Sequence, residues 1–359
     1  MKRVIATATA LAAGASTAGA GGVDKTGQSI LVIFEKGSYA ELSFGIIQPS
    51  VSGSAIPALG GFSSGSLAET YFSIGAAYKT ELRDGLDLAV IIDQPFGADV
   101  SYPTGTNYFA QGSKAKLDAT AVTGLLKYRM PNNISVFGGL RYELMRARAS
   151  VPFVAGYTAV GATDAGFGYT IGAAFEKPEI ALRVVLTYNS AIKHELDTVE
   201  FGVLNSVTEI KSPQSLNLEF QTGIAKDTLL FGSVRWVDWT EFKVDPPNYP
   251  PPSPIVSYES DTISYALGLG RRFNETWSAA VTLGYEKPVG GFASNLGPTD
   301  GYKSIGLGAT YTKDNMKVTG GIRYVDIGDA QTTLNDVTAA ANFSGNSAVA
   351  LGVKVGWSF

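Results

Sequence analysis

Four arginines, Arg141, Arg148, Arg183 and Arg235, offer the most chemistry in a chain whose sole histidine is His194 and which has no cysteine. A guanidinium pairs with a carboxylate through a planar fork. Each arginine is therefore a candidate partner for an anionic head group in an otherwise apolar pocket. Each could equally pair with a wall carboxylate such as Glu143. Enzymatic chemistry has little to work with. Without thiols there is neither a disulfide framework nor a thiolate metal site, and one histidine excludes a histidine-rich metal centre. The glycine-rich run "GLGRRF" opens no helix and so makes no phosphate loop. His194, beside Lys193, reads as a solvated loop residue. Asp99 and Asp118 read as solvated loop and wall carboxylates, not as a catalytic pair. The expectation is a chain that is not an enzyme and uses no metal or cofactor. A net charge of −4 is too weak to point to nucleic acid or an anionic membrane surface as a partner.

The elements that would carry these side chains follow a period of two. In the C-terminal "SAVALGVKVGWSF", Val349, Leu351, Val353, Val355, Trp357 and Phe359 share one parity, and Ala350, Gly352, Lys354, Gly356 and Ser358 share the other. Strict alternation over such a length specifies a β-strand. The pattern recurs around Leu182–Tyr188, Ile263–Leu269, Trp277–Tyr285 and Ile305–Tyr311. The second face is mostly Gly, Ala, Ser and Thr with an occasional Arg or Lys. Aromatic residues sit near strand ends on the large face. A soluble sandwich would bury the large face and charge the other. Here the alternation fits a transmembrane barrel, apolar outside, girdled by aromatics and more polar within. On this parity Arg183, Arg235, Arg323 and Lys354 point into the lumen, as does Arg141 if its strand has no bulge. The parity of Arg148, in "ARA", is open.

Turn chemistry sets the strand count. Tight polar connections occur at Arg83-Asp84-Gly85, Pro131-Asn132-Asn133, Lys177-Pro178-Glu179, Lys226-Asp227, Phe273-Asn274-Glu275 and Lys313-Asp314-Asn315. Longer Pro/Gly/Ser-rich connections fall near 51–68, 101–113, 150–163, 198–212, 245–258, 290–300 and 329–342. Short and long alternate, which predicts fourteen antiparallel strands over residues 38–359 with both ends on the periplasmic side.

The start of the chain reads as export machinery. Lys2 and Arg3 precede a short apolar run, and Ala18-Gly-Ala20 has the small residues of a cleavage site, so residues 1–20 are expected to be a secretory signal peptide. Residues 21–37 precede the first strand and contain an apolar run, Ile30, Leu31, Val32, Ile33 and Phe34. A periplasmic tail or an extra turn of strand one would account for them. Burial in the lumen as a plug removes the apolar run from water.

One strand contradicts its own pattern. In "AVIIDQPFGADVSYP", Gln94, Pro95, Phe96 and Gly97 interrupt the third strand. Pro95 has no N–H for a ladder, and Gly97 lets the backbone bend. An ordinary bulge is one reading.

The segments "GVDKTGQSILVIFEKGSYAELSFG", "QPFGADVSYP", "FGGLRYELMRARA" and "LFGSVRWVDWTEF", in that order, resemble the FadL-type outer-membrane transporters of long-chain fatty acids and other hydrophobic compounds. The resemblance covers essentially the whole mature chain. It implies a fourteen-stranded barrel in the bacterial outer membrane, a hatch at 21–37, and a kink in strand three that opens a side window. The Asn-Pro-Ala motif common in the family's hatch is absent, and the hatch is short, so hatch contacts do not carry over residue by residue. The implied function is passive uptake: capture by loops, binding in the lumen and release sideways into outer-membrane lipid. Ile30–Phe34 and Phe96 would supply apolar contacts. Phe62, in 51–68, and Tyr249, in "PPNYPPPSP", would line an outer groove. The implied partner is a hydrophobic small molecule, a long-chain fatty acid or similar, and the barrel would be a monomer. An adhesive or structural barrel and a hydrophilic diffusion porin are the competing readings.

Overall fold

The period-two segments form strands, and their large faces turn outward. The computed structural model describes residues 23–251 and 254–359. The expected signal peptide lies outside the described residues. Among these, fourteen antiparallel wall strands follow one another around a barrel: β1 (Tyr39–Ser50), β2 (Tyr71–Arg83), β3 (Leu86–Asp93 and Gly97–Ser101), β4 (Lys114–Arg129), β5 (Ile134–Val151), β6 (Tyr157–Gly161 and Asp164–Lys177), β7 (Leu182–Asn189 and Ile192–Glu200), β8 (Leu204–Ser212 and Ser215–Ala225), β9 (Thr228–Val237), β10 (Thr262–Arg272), β11 (Trp277–Glu286), β12 (Tyr302–Lys313), β13 (Met316–Ile327) and β14 (Asn346–Ser358). β1 pairs with β14 from Tyr39↔Ser358 to Ser50↔Ser347, which closes the sheet. Closure removes the edge whose unpaired N–H and C=O groups lipid could not satisfy.

Side-chain exposure confirms which face is which. Phe72, Leu140, Phe167 and Leu307 are 67%, 70%, 72% and 58% exposed, whereas Lys79, Asp87, Lys127, Arg141, Glu143, Arg235 and Lys354 are buried within the barrel. A periplasmic girdle includes Trp277 against Tyr311, with ring centroids 5.1 Å apart. Tyr169 with Tyr188 and Tyr265 with Tyr285 mark the opposite girdle. Such rings sit where an apolar body and a polar tip both find their solvent.

All six short turns join the strands expected of them. Two of the long connections are instead mostly strand. Residues 150–163 and 198–212 contain the ends of β5 to β8, leaving only 152–156 and 201–203 as loops. These strands run beyond the lipid band, where the outward face is Lys193, Glu195, Glu209 and Lys211. The remaining extracellular loops fold over the barrel mouth. Gly53–Ala55, Phe292–Ala293, Ala330–Thr333 and Ala339–Phe343 make a small sheet there.

Candidate functional site

The β3 interruption is a separation from β2. The β2–β3 ladder runs from Arg83↔Leu86 to Ala76↔Ile92 and stops. Above it Tyr71–Gly75 pair only with β1, while Gly97–Ser101 stay paired with β4. The strands meet again at the Ala68↔Val100 bridge. Across the gap, the Gln94 side-chain oxygen accepts from the Ile74 N–H at 3.2 Å.

Pro95 loses a donor, but the other polar groups on this inner edge are used. Lys25 N–H donates to the Pro95 carbonyl at 2.8 Å, and Gly97 N–H donates to the Val23 carbonyl at 2.8 Å. The N-terminal segment thus completes the edge that β2 gives up. Gly97 is also required by space: a Cβ there would stand 2.5 Å from Lys25 Nζ and 2.9 Å from the Leu117 carbonyl.

Residues 23–38 run inside the barrel, held by the wall at both ends. Arg235 reaches Asp24 at 2.7 Å and also donates to Gln28, Asn217 and Ser215. Thr26 donates to Asp93 at 2.8 Å, and Ser29 to Glu219 at 2.7 Å. Leu31–Phe34 form a 3-10 turn. The carbonyls that follow it meet cations: Lys127 donates to Ile33 O at 3.0 Å, Arg183 to Phe34 O at 3.4 Å and Lys79 to Gly37 O at 3.0 Å. Lys127 and Arg183 also lie over the Phe34 ring, 4.5 Å and 4.6 Å from its centroid.

A cavity of about 150 Å³ lies between this segment and the gap. Val23, Asp24 and Lys25 border it with Tyr71 of β2 and Gly97–Val100 of β3. Leu117, Ala147 and Leu196 continue the wall, and Ile255, Val256 and Leu296 close it from the loops. Its surroundings are predominantly apolar. The charged residues at its border are Asp24, Lys25, Glu69, Asp99, Lys116 and Arg148, and Lys25 is a buried ammonium 4.8 Å from the Tyr71 ring centroid. Burial pushes its pKa below the ordinary lysine value, against the pull of Asp118.

The sequence-derived candidates are distributed unevenly around this site. Gln94, Pro95, Phe96 and Gly97 all lie at the gap, with Phe96 turned inward against Trp239 at 5.9 Å. Ile30, Val32, Ile33 and Phe34 pack away from the cavity on Ala77, Ala89, Leu125, Phe137 and Val185, with Leu31 beside them. Arg183 pairs with Glu176 at 2.9 Å and Arg235 with Asp24, both in holding the N-terminal segment. Arg141 is buried beside Glu143 at 3.4 Å. Arg148 is exposed, on the strand parity of Leu140, Tyr142 and Leu144, and it also borders the cavity. Phe62 is exposed in the first loop. Tyr249 stacks edge-on to Tyr157 at 4.8 Å and borders a separate outer cavity of about 170 Å³ with Phe153 and Phe292.

His194 corrects its sequence reading. It is fully buried between Asp164, 3.1 Å from Nδ1, and Glu143, 3.3 Å from Nε2. The cause is the inward step of β7 at Ser190–Ala191, which lays Ile192 and His194 over Gly166 and Gly168. Asp99 and Asp118 likewise carry ion pairs, with Lys116 and Arg146. Val23–Lys25 were missed as cavity residues. Their only signal was position, at the start of "GVDKTGQ".

No family model matches the sequence, and no curated protein sequence matches it. Solved structures do match. A FadL homologue of Pseudomonas aeruginosa superposes with a TM-score of 0.74 over 96% of this chain and 98% of that one, at 12% identity. The fold is FadL-type. The toluene transporters TodX of P. putida and TbuX of Ralstonia pickettii align with TM-scores of 0.66 and 0.63, at 12% and 11% identity, over 92% and 90% of each chain. A FadL-type barrel with an apolar outer band and aromatic girdles at both ends is a bacterial outer-membrane protein.

Proposed function

We propose that the barrel admits hydrophobic small molecules passively through the outer membrane, holds them in the cavity beside Val23–Lys25, and releases them sideways between β2 and β3. One observation carries this reading: the apolar cavity is bounded by the very residues, Tyr71 and Gly97–Val100, at which the wall loses its ladder. A solute leaving there meets lipid without crossing a polar channel. The FadL-type fold and the hydrocarbon cargo named for TodX and TbuX support the same class of solute. Long-chain fatty acids belong to that class, with Lys25, Lys116 and Arg148 as the cations that border the cavity and could meet a carboxylate. The residues 23–38 act as the hatch, which weighs against a hydrophilic porin, since wall cations and carboxylates that would wet such a pore are committed to holding them.

The test replaces Pro95-Phe96-Gly97 with Val-Thr-Val, which restores a continuous strand. Uptake of a labelled long-chain fatty acid and of labelled toluene is measured in cells bearing the folded variant. Uptake of the transported solute is expected to fall several-fold. Uptake equal to that of the unaltered barrel would exclude sideways release at this place.

A further inference from the structure

The outward face of β4 and β5 changes character just above the lipid band. On β5 the outward row runs Leu140, Tyr142, Leu144, then Arg146 and Arg148; on β4 it runs Leu126, Val122, then Asp118, Lys116 and Lys114. In register, Lys116 stands directly opposite Arg148, and Asp118 opposite Arg146. Two like charges directly across a strand pair repel. Two carboxylates answer the four cations: Asp99 pairs with Lys116 at 2.5 Å and Asp118 with Arg146 at 3.1 Å. Lys114 and Arg148 have no carboxylate partner among the described residues, and both are exposed.

Elsewhere at this height the wall neutralises itself. Lys193 lies 2.8 Å from Glu195 and 2.9 Å from Glu209, Lys211 lies 2.8 Å from Glu241, and Lys303 stands opposite Asp326 in register. The excess on β4–β5 is therefore local, in a chain whose net charge is −4. It sits where the apolar outer face ends, the depth of the outer-leaflet head groups. The dominant anion at that depth in a bacterial outer membrane is the phosphate of the leaflet's glycolipid. A guanidinium fork with an adjacent ammonium matches phosphate geometry.

We infer that Lys114, Lys116, Arg146 and Arg148 form a docking site for the phosphates of an outer-leaflet glycolipid. The bound phosphate relieves the Lys116–Arg148 repulsion, and its acyl chains lie along Leu144 and Tyr142 beneath. The site anchors β4 and β5 next to the interrupted β3, and at Lys116 and Arg148 it adjoins the cavity of the proposed solute path.

The test measures binding of phosphorylated lipid A, and of lipid A stripped of its phosphates, to the full barrel in non-ionic detergent. The Lys114→Gln, Arg148→Gln double variant is compared with Lys193→Gln, Lys211→Gln; heat-modifiable gel migration reports folding of each. The double variant at the site is expected to bind phosphorylated lipid A roughly thirty-fold more weakly, from the loss of two interfacial cations. Removing the phosphates should cost the unaltered barrel at least as much, and the control variant should bind normally. Equal binding of the two lipids, or normal binding by the site variant, overturns the inference. Full displacement of the lipid by millimolar inorganic phosphate would mark a small-anion site and also overturn it. So would loss of fatty-acid uptake with lipid binding unchanged, which would assign the cations to the solute.

Discussion

Arg235 shows how a lumen cation can be structural. Its guanidinium satisfies Asp24, Gln28, Asn217 and Ser215 at once, with the Asp24 pair at 2.7 Å and largely buried. Removing one partner of a buried pair leaves the other charge unpaired, at a cost of about 3–5 kcal/mol. Arg235→Ala is therefore expected to lower the unfolding temperature in detergent and to raise small-solute leakage in liposome swelling, by freeing the segment at Asp24. Arg235→Lys, which keeps the charge but not the fork, should fall between. Parity in the sequence placed Arg141, Arg183 and Arg235 in the lumen. It could not assign their partners, because those lie up to 211 residues away in the chain. His194 was misplaced for a related reason. The alternation of Leu182–Tyr188, carried on, puts His194 outward with Tyr188; the break at Ser190–Ala191 reverses the parity, so Lys193 and Glu195 are solvated and His194 is buried.

At the scale of elements, lipid is what made the strands legible. Where a strand faces hydrocarbon, its large face is apolar, and alternation is plain. The ends of β7 and β8 face water, their outward residues are charged, and the contrast that marks a strand disappears. Those ends carry a pH-sensitive tie to the loops. Glu200, at the tip of β7 above the girdle, accepts from Tyr157 at 2.6 Å, from Ser206 at 2.5 Å and from the Asn248 side chain at 2.9 Å. Burial alone would raise its pKa, but the bonds from Ser206, Tyr157 and Asn248 outweigh it and leave the carboxyl below the usual glutamate range. A depressed native pKa contributes stability that is present above the unfolded value and lost as pH falls through the native one. Cleavage of the loop around Asn248 by a protease active from acid to neutral pH is therefore expected to rise below about pH 4.3, the ordinary glutamate value. Glu200→Gln should show raised cleavage at neutral pH and little dependence on pH. A loop in the unaltered barrel cleaved equally at about pH 3 and at neutral pH would exclude the tie.

At the scale of the whole molecule, the N-terminal segment and the broken wall strand fit one another. Pro95 and Gly97 make β3 leave β2, and Val23–Lys25 take the vacated hydrogen bonds from within. The sequence displayed the strand count and the interruption at Pro95. It gave no sign that residues 23–25, ahead of the apolar run at 30–34, would border the cavity. The chain lacks cysteine, so a single thiol placed at the gap reports on it alone. The most direct measurement is uptake of a labelled hydrophobic solute by Gln94→Cys before and after a bulky methanethiosulfonate reagent, and again after reduction. Uptake should drop several-fold on modification and return on reduction, while Leu307→Cys, on the lipid face of β12, is unaffected. Undiminished uptake with Gln94→Cys fully modified would contradict passage between β2 and β3.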